Sequence, residues 1–115
     1  HTTSFQVKQA SNVYATSLTR SKTSPAATTK RLITAVVRDR YYSNYSDAWV
    51  NRKSHYVHLQ RKTSTGWKSV KSARTDSRGV AVLRYVGASS KAAWWRIYTP
   101  GSSTIWHHYS GQIWR

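Results

Sequence analysis

The chain has 115 residues, enough for one domain built around one core. It carries 19 Lys and Arg against three Asp and no Glu, a net charge of +16, and contains neither Cys nor Met. Disulfide stapling and thiol chemistry are therefore excluded, and no apolar run approaches the roughly 18 residues a membrane-spanning helix needs.

Val, Leu, Ile and Phe together number only 19. Low aliphatic content with high net charge ordinarily reads as disorder. Six Trp and eight Tyr reverse that reading. Each buried aromatic removes about 150–250 Å² from water, so a few replace many aliphatics. Ser and Thr number 30, which suits a secreted protein. A chain opening on His1 reads as a mature N-terminus after signal cleavage, a domain cut from a longer chain, or a tag remnant. The Asn44-Tyr45-Ser46 sequon matters only in a glycosylating source.

In chain order, Phe5 and Val7 alternate within residues 1–10, as in a short edge strand. Asn12 to Thr19 reads as a strand with a kink, anchored by Val13 and Leu18. Arg20 to Thr29, rich in Ser, Thr and Ala with one Pro, reads as a connection. Lys30 to Arg38 holds the most apolar run and is expected to be a central strand. Residues 39–54 differ. Tyr41, Tyr42, Tyr45 and Trp49 stand among polar residues, Arg52 and Lys53 included, with no clean period. A long irregular connection in a small domain is often functional, so an inserted aromatic loop is expected here. The alternative is that these aromatics cap an open end of the core.

Tyr56 to Lys62 alternates, with Val57 and Leu59 on one face and His58 and Gln60 on the other. Ser64-Thr65-Gly66 supplies a turn, and a second strand runs from Trp67 to Arg74. Thr75 to Gly79 is a second tight turn, in which Asp76 can accept from the amides ahead of it. Val80 to Val86 is a third strand, so a β-meander is expected. In Ala93 to Thr99, Trp95 and Ile97 point one way, and Trp94, Arg96 and Tyr98 the other. Trp67 and Trp95 are expected inside. Ile105 to Arg115 gives a last strand or a bent pair. Eight or so strands with no 3.6-residue period predict an all-β fold, an antiparallel β-sandwich.

Val57-x-Leu59-Gln60-Arg61, Trp67, Val70, Thr75-Asp76 and Gly79 carry a resemblance. Their pattern resembles the middle of the immunoglobulin-like repeat domains of secreted actinobacterial proteins. Trp95 to Gly101 and Ser110 to Ile113 fill the places of the later strands in that family. The likeness covers roughly Lys30 to Arg115, and related domains have a shorter link where residues 40–54 stand. It implies an immunoglobulin-like sandwich of about 7–9 strands and a secreted location. It is nearly silent on function, because such modules serve as spacers, adhesins and accessory domains.

Catalysis finds little inventory. Paired-carboxylate chemistry needs two neighbouring acids in different environments, and only Asp39, Asp47 and Asp76 exist. No Ser sits in a G-x-S-x-G setting. His55 and His58 are three apart on extended chain and diverge, as do His107 and His108. Zinc ligation without Cys or Glu is not expected. His1 alone could chelate copper through its amine and ring, as in copper proteins built on immunoglobulin-like sandwiches. No cofactor is expected otherwise.

Binding remains. Basic and aromatic residues interleave at Trp94-Arg96-Tyr98, Lys53-His55-Tyr56, Trp106-His107-His108 and Trp114-Arg115. Phosphate polymers need Lys and Arg. Sugars need flat aromatic platforms. The expected ligand residues are Trp94, Arg96, Tyr98, Trp49, Tyr41, Tyr42, Tyr45, Lys53 and Arg52. The reading is a secreted, cationic, non-enzymatic protein that binds anionic cell-envelope material or another polyanion, with antibacterial action as one use. A carbohydrate-binding accessory module of a larger enzyme and a copper protein are the alternatives. Non-specific nucleic-acid binding is expected of any protein this basic.

Overall fold

The most apolar run of the sequence becomes the middle of a strand bonded on both sides. The computed structural model describes residues 9–22, 31–43, 45–88 and 91–115. The strand expected near Phe5 and most of the connection before Lys30 lie outside the described residues. The strands are β1 (Ser11–Lys22), β2 (Arg31–Ser43), β3 (Ala48–Asn51), β4 (Tyr56–Thr63), β5 (Gly66–Arg74), β6 (Val80–Ala88), β7 (Trp94–Thr99), β8 (His108–Tyr109) and β9 (Ile113–Trp114). No helix among the described residues is long and apolar enough to cross a membrane.

These strands form two antiparallel sheets, a β-sandwich. In one sheet β2 lies between β1 and β6, and its far end pairs with β3. The other sheet has the order β5-β4-β7-β8, with β9 also on β7. The bent final pair is thus present, and β1 has its irregularity between Ala15 and Ser17. Ile33, Ala35 and Val37 of β2 point inward with Leu83 of β6, against Val57, Leu59, Trp95 and Ile97 of the facing sheet. Trp95 is fully buried, and its indole Nε1 donates to the Arg115 carbonyl at 3.1 Å. Burying such a ring is worth on the order of 4–6 kcal/mol from area alone.

Two sequence expectations are corrected. The three strands from Tyr56 to Val86 are not a meander in one sheet. β5 pairs with β4, but β6 crosses over and pairs with β2. The Thr75–Gly79 turn is tied to both sheets. The Thr75 amide donates to the His55 carbonyl (2.8 Å), and the Gly79 carbonyl accepts from the Asp39 amide of β2 (2.8 Å). Residues 40–54 are also not an irregular loop. β2 runs on to Ser43 and folds back as β3, with Tyr42 opposite Trp49 and Tyr41 opposite Val50. The reversal uses Asp47 at φ 52°, a conformation Asp tolerates. This hairpin lies beyond the strand segments that form the core, so neither face demands a clean apolar alternation.

Asp39 joins the two layers. It is fully buried, and its Oδ2 accepts from the Thr99 hydroxyl at 2.7 Å. Thr99 in turn accepts from Arg52 Nη1 at 3.2 Å. The Arg52 amide donates to the Asp39 carbonyl at 3.0 Å, and the Arg52 carbonyl accepts from Thr75 Oγ1 at 2.6 Å. Burial pushes the Asp39 carboxyl up to about 6, against the opposing pull of the Thr99 hydroxyl and the Arg52 charge.

Gly79 seals this corner. Its φ is +73°, and a Cβ there would lie 2.5 Å from the Asp39 carbonyl oxygen. Gly66 has φ +132° but open space around it. Gly79→Ala should therefore cost at least about 2–3 kcal/mol, clearly more than Gly66→Ala, in urea denaturation; equal costs would contradict the close approach. For Asp39 the native state holds its proton more tightly than the unfolded chain, whose value is near 3.8. Its contribution to stability is greatest at low pH and is lost as pH rises through about 6. The stability of the wild type relative to Asp39→Asn should rise by about 2–3 kcal/mol between pH 7.5 and pH 4. A difference that stays flat or falls would show that this carboxyl is not raised.

Candidate functional site

The outward face of the five-stranded sheet gathers rings and cations from all five strands. Its phase is set by β4, whose Val57 and Leu59 face the core and whose His58, Gln60 and Lys62 therefore face out. Opposite them on β7 stand Tyr98 and Arg96, paired with His58 and Gln60. On β5, Trp67 is opposite Lys62 and Arg74 is opposite Tyr56. Tyr109 of β8 is opposite Tyr98, and Trp114 of β9 is opposite Trp94.

These side chains touch in one larger cluster and two pairs. The Tyr98 and Tyr109 rings stack at 4.8 Å and 25°, and His58 stacks on Tyr98 from the strand on its other side at 5.9 Å and 28°. The Arg96 guanidinium lies over Tyr109 at 3.9 Å and over Trp67 at 4.3 Å. Its Nε donates to Gln60 Oε1 at 2.7 Å, which fixes the plane between the two rings. Lys62 lies over Trp67 at 5.5 Å and Arg74 over Tyr56 at 5.4 Å. Trp94 and Trp114 pack at 5.2 Å and remain 43% and 51% exposed. Partial burial holds His58 below the ordinary histidine range, so it stays neutral beside these cations near pH 7.

No acid lies on this face, because all three are committed elsewhere. Asp39 is in the core. Asp47 accepts from the Tyr42 hydroxyl at the hairpin turn. Asp76 accepts from the amides of Val80 (3.0 Å) and Arg78 (2.8 Å) in the turn before β6. Those amides hold Asp76 below the usual carboxylate range. The Arg78 guanidinium stands 3.8 Å away.

The residues expected to bind ligand fall into three places. Trp94, Arg96 and Tyr98 do share the outward face, as alternation required, with Trp95, Ile97 and Thr99 buried between them. Tyr42, Tyr45 and Trp49 belong to the β2–β3 hairpin. There Tyr42 and Trp49 meet edge to face at 5.6 Å, and Arg40 sits over both Trp49 (5.4 Å) and Tyr14 (5.6 Å). Tyr45 at the tip is fully exposed. Tyr41, Arg52 and Lys53 line a cavity of about 570 Å³ at the root of the hairpin. Arg52 is only 5% exposed, and its Nη1 donates to the Thr99 hydroxyl, which in turn donates to Asp39. His1, the copper candidate, lies outside the described residues, and among those described no group of three or more His or Asp could hold a metal.

Trp67 is a further correction. Sequence alternation puts it inside, yet it lies on the outer face under Arg96 and Lys62. The register of β5 slips between Leu59 and Gln60, which places Val70 against the core while returning Trp67 to the solvent side. His58, Trp67, Tyr109 and Trp114 were missed as members of the site. The turn at Ser64–Gly66 was the available signal, since it sets Lys62 opposite Trp67. A scan of protein-family models and searches of curated proteins and of solved structures return no match for this chain.

Arg96→Ala removes a guanidinium held between two rings and should lower stability by about 1–2 kcal/mol in denaturant titration. Arg96→Lys should recover only part of this, because an ammonium cannot stack as a plane. A loss no larger than that of the exposed Arg84→Ala would show that the ring contacts contribute nothing.

Proposed function

We propose that this is a secreted, non-enzymatic cationic protein that binds a polyanion through the outward face of the five-stranded sheet. Anionic cell-envelope polymer is the target its chemistry favours, and antibacterial action is one use of such binding. The observation that carries this reading is the arrangement of charge. Every carboxylate is occupied by the fold's own turns and core, so the cations of the face have no internal partner of opposite sign. A face of this kind attracts phosphate or carboxylate polymers over distances of about a Debye length. Arg96 offers a guanidinium whose orientation is already fixed, which lowers the entropy lost on binding. The resemblance to immunoglobulin-like repeats of secreted actinobacterial proteins supports the same setting.

A second reading rests on the Trp94–Trp114 pair. Two exposed indoles in contact form a platform against which a sugar ring can stack, and a carbohydrate-binding accessory module uses such a platform. Salt separates the two readings, because counterion release acts only on charge-mediated binding.

Binding to teichoic-acid-rich cell walls should weaken with salt at a log–log slope of about −3 or steeper, since each phosphate contact contributes roughly −0.7 to −0.9. Pelleting at 50 mM and 500 mM NaCl measures it. A flat profile with loss of binding in Trp94→Ala would replace the polyanion reading with the sugar platform.

A further inference from the structure

The cavity at the root of the hairpin differs chemically from the aromatic face. It lies where β2 and β3 leave the sandwich and the segment after β7 passes by, and its volume is about 570 Å³. That is several times the space of a single phosphate and is ample for one substituted monosaccharide. At one wall is Arg52, a charged side chain only 5% exposed. Among the described residues its guanidinium makes one hydrogen bond, from Nη1 to Thr99. A guanidinium has five N–H donors. Its remaining nitrogens are not among the enclosed atoms left without a partner, and the residue lines the cavity.

Burying a guanidinium with most of its donors unused is costly unless something satisfies them. Asp39 takes none of them directly. Its Oδ2 is taken by Thr99 and no salt bridge joins it to Arg52. Lys53 and His55 line the same cavity, and no acid does. The His55 ring is fixed by its Nε2, 3.1 Å from the Pro100 carbonyl, so Nε2 carries the proton. Asn51, Ser102 and Thr104 add an amide and two hydroxyls to the lining, and Tyr41 adds a ring. Cations at one wall, small hydrogen-bonding groups around, and one aromatic ring match a hydroxylated ring that bears a negative charge.

We propose that this cavity binds a single anionic sugar unit, its charged group at Arg52 and Lys53 and its hydroxyls on Asn51, Ser102 and Thr104. The site extends the polyanion reading from the sheet face to a pocket that recognises one residue or chain end of such a polymer. The negative group can be a phosphate or a carboxylate, and both answer to the same cations.

The test titrates the whole protein with glucose 6-phosphate, glucuronate and glucose, by calorimetry and by amide shifts in 15N NMR. One anionic sugar should bind in a saturable 1:1 manner, at least tenfold tighter than glucose, with shifts concentrated at residues 51–55 and 102–105. The tighter of the two identifies the group as phosphate or carboxylate. Lys53→Glu, at an exposed position, should weaken it at least tenfold, whereas Arg84→Ala, exposed and away from the cavity, should leave it unchanged. Absence of binding by either anionic sugar, shifts elsewhere, equal binding of glucose, or indifference to Lys53→Glu would overturn the pocket. Salt-sensitive polymer binding that persists in that case would leave the face reading standing. Sugar binding without polymer binding would remove the face reading alone.

Discussion

One carboxyl group buried between two sheets sets the geometry of this protein. Asp39 is an acid in a chain of net charge +16, yet it occupies the core and not the surface. Its backbone binds the turn before β6, its side chain binds β7, and its carbonyl binds the strand-to-strand link at Arg52. The sandwich is thereby fastened where the chain changes sheets. Burial opposes the charge on Asp39, and the nearby guanidinium of Arg52 favours it. The corner is a compromise between these two effects, and the close approach of Gly79 leaves no room to relax it.

The basic, ring-lined face follows from the same economy of acids. Asp47 and Asp76 close turns, so the β-sheet surface carries positive charge that nothing in the chain opposes. Self-repulsion of this kind would ordinarily loosen a small domain. Here part of the charge is laid over aromatic rings. Arg96 between Trp67 and Tyr109, and Arg40 between Tyr14 and Trp49, place one ring-held guanidinium on the outer side of each sheet. Ring faces are electron-rich, so they soften the repulsion without removing the charge that an outside ligand meets.

Strand identity was largely legible in the sequence because the core is alternating. Val57-x-Leu59, Trp95-x-Ile97 and the run from Ile33 to Val37 each announce an inner face, and each is buried. Alternation also placed Trp94, Arg96 and Tyr98 together outside. What escaped was everything fixed by pairing and not by period. Nothing in Val80 to Val86 says which sheet it joins, since an inward-facing strand looks the same in either layer. Trp67 was misplaced because a one-residue slip in register reverses a side chain's face and leaves no compositional trace. The hairpin at Tyr41 to Asn51 hid for the opposite reason. It extends past the core, so its two faces have no contrast for a periodicity to reveal.

Among the described residues β5 is the margin of its sheet, with β4 as its one hydrogen-bonded neighbour. Along it Lys68, Lys71 and Arg74 are all exposed. Like charges along an unpaired strand keep a second copy from adding to the sheet. That protection depends on the charges remaining uncompensated. A long anionic chain would cancel it and at the same time crowd many copies along its length. The protection of this margin is therefore electrostatic, and screening of its exposed charges weakens it.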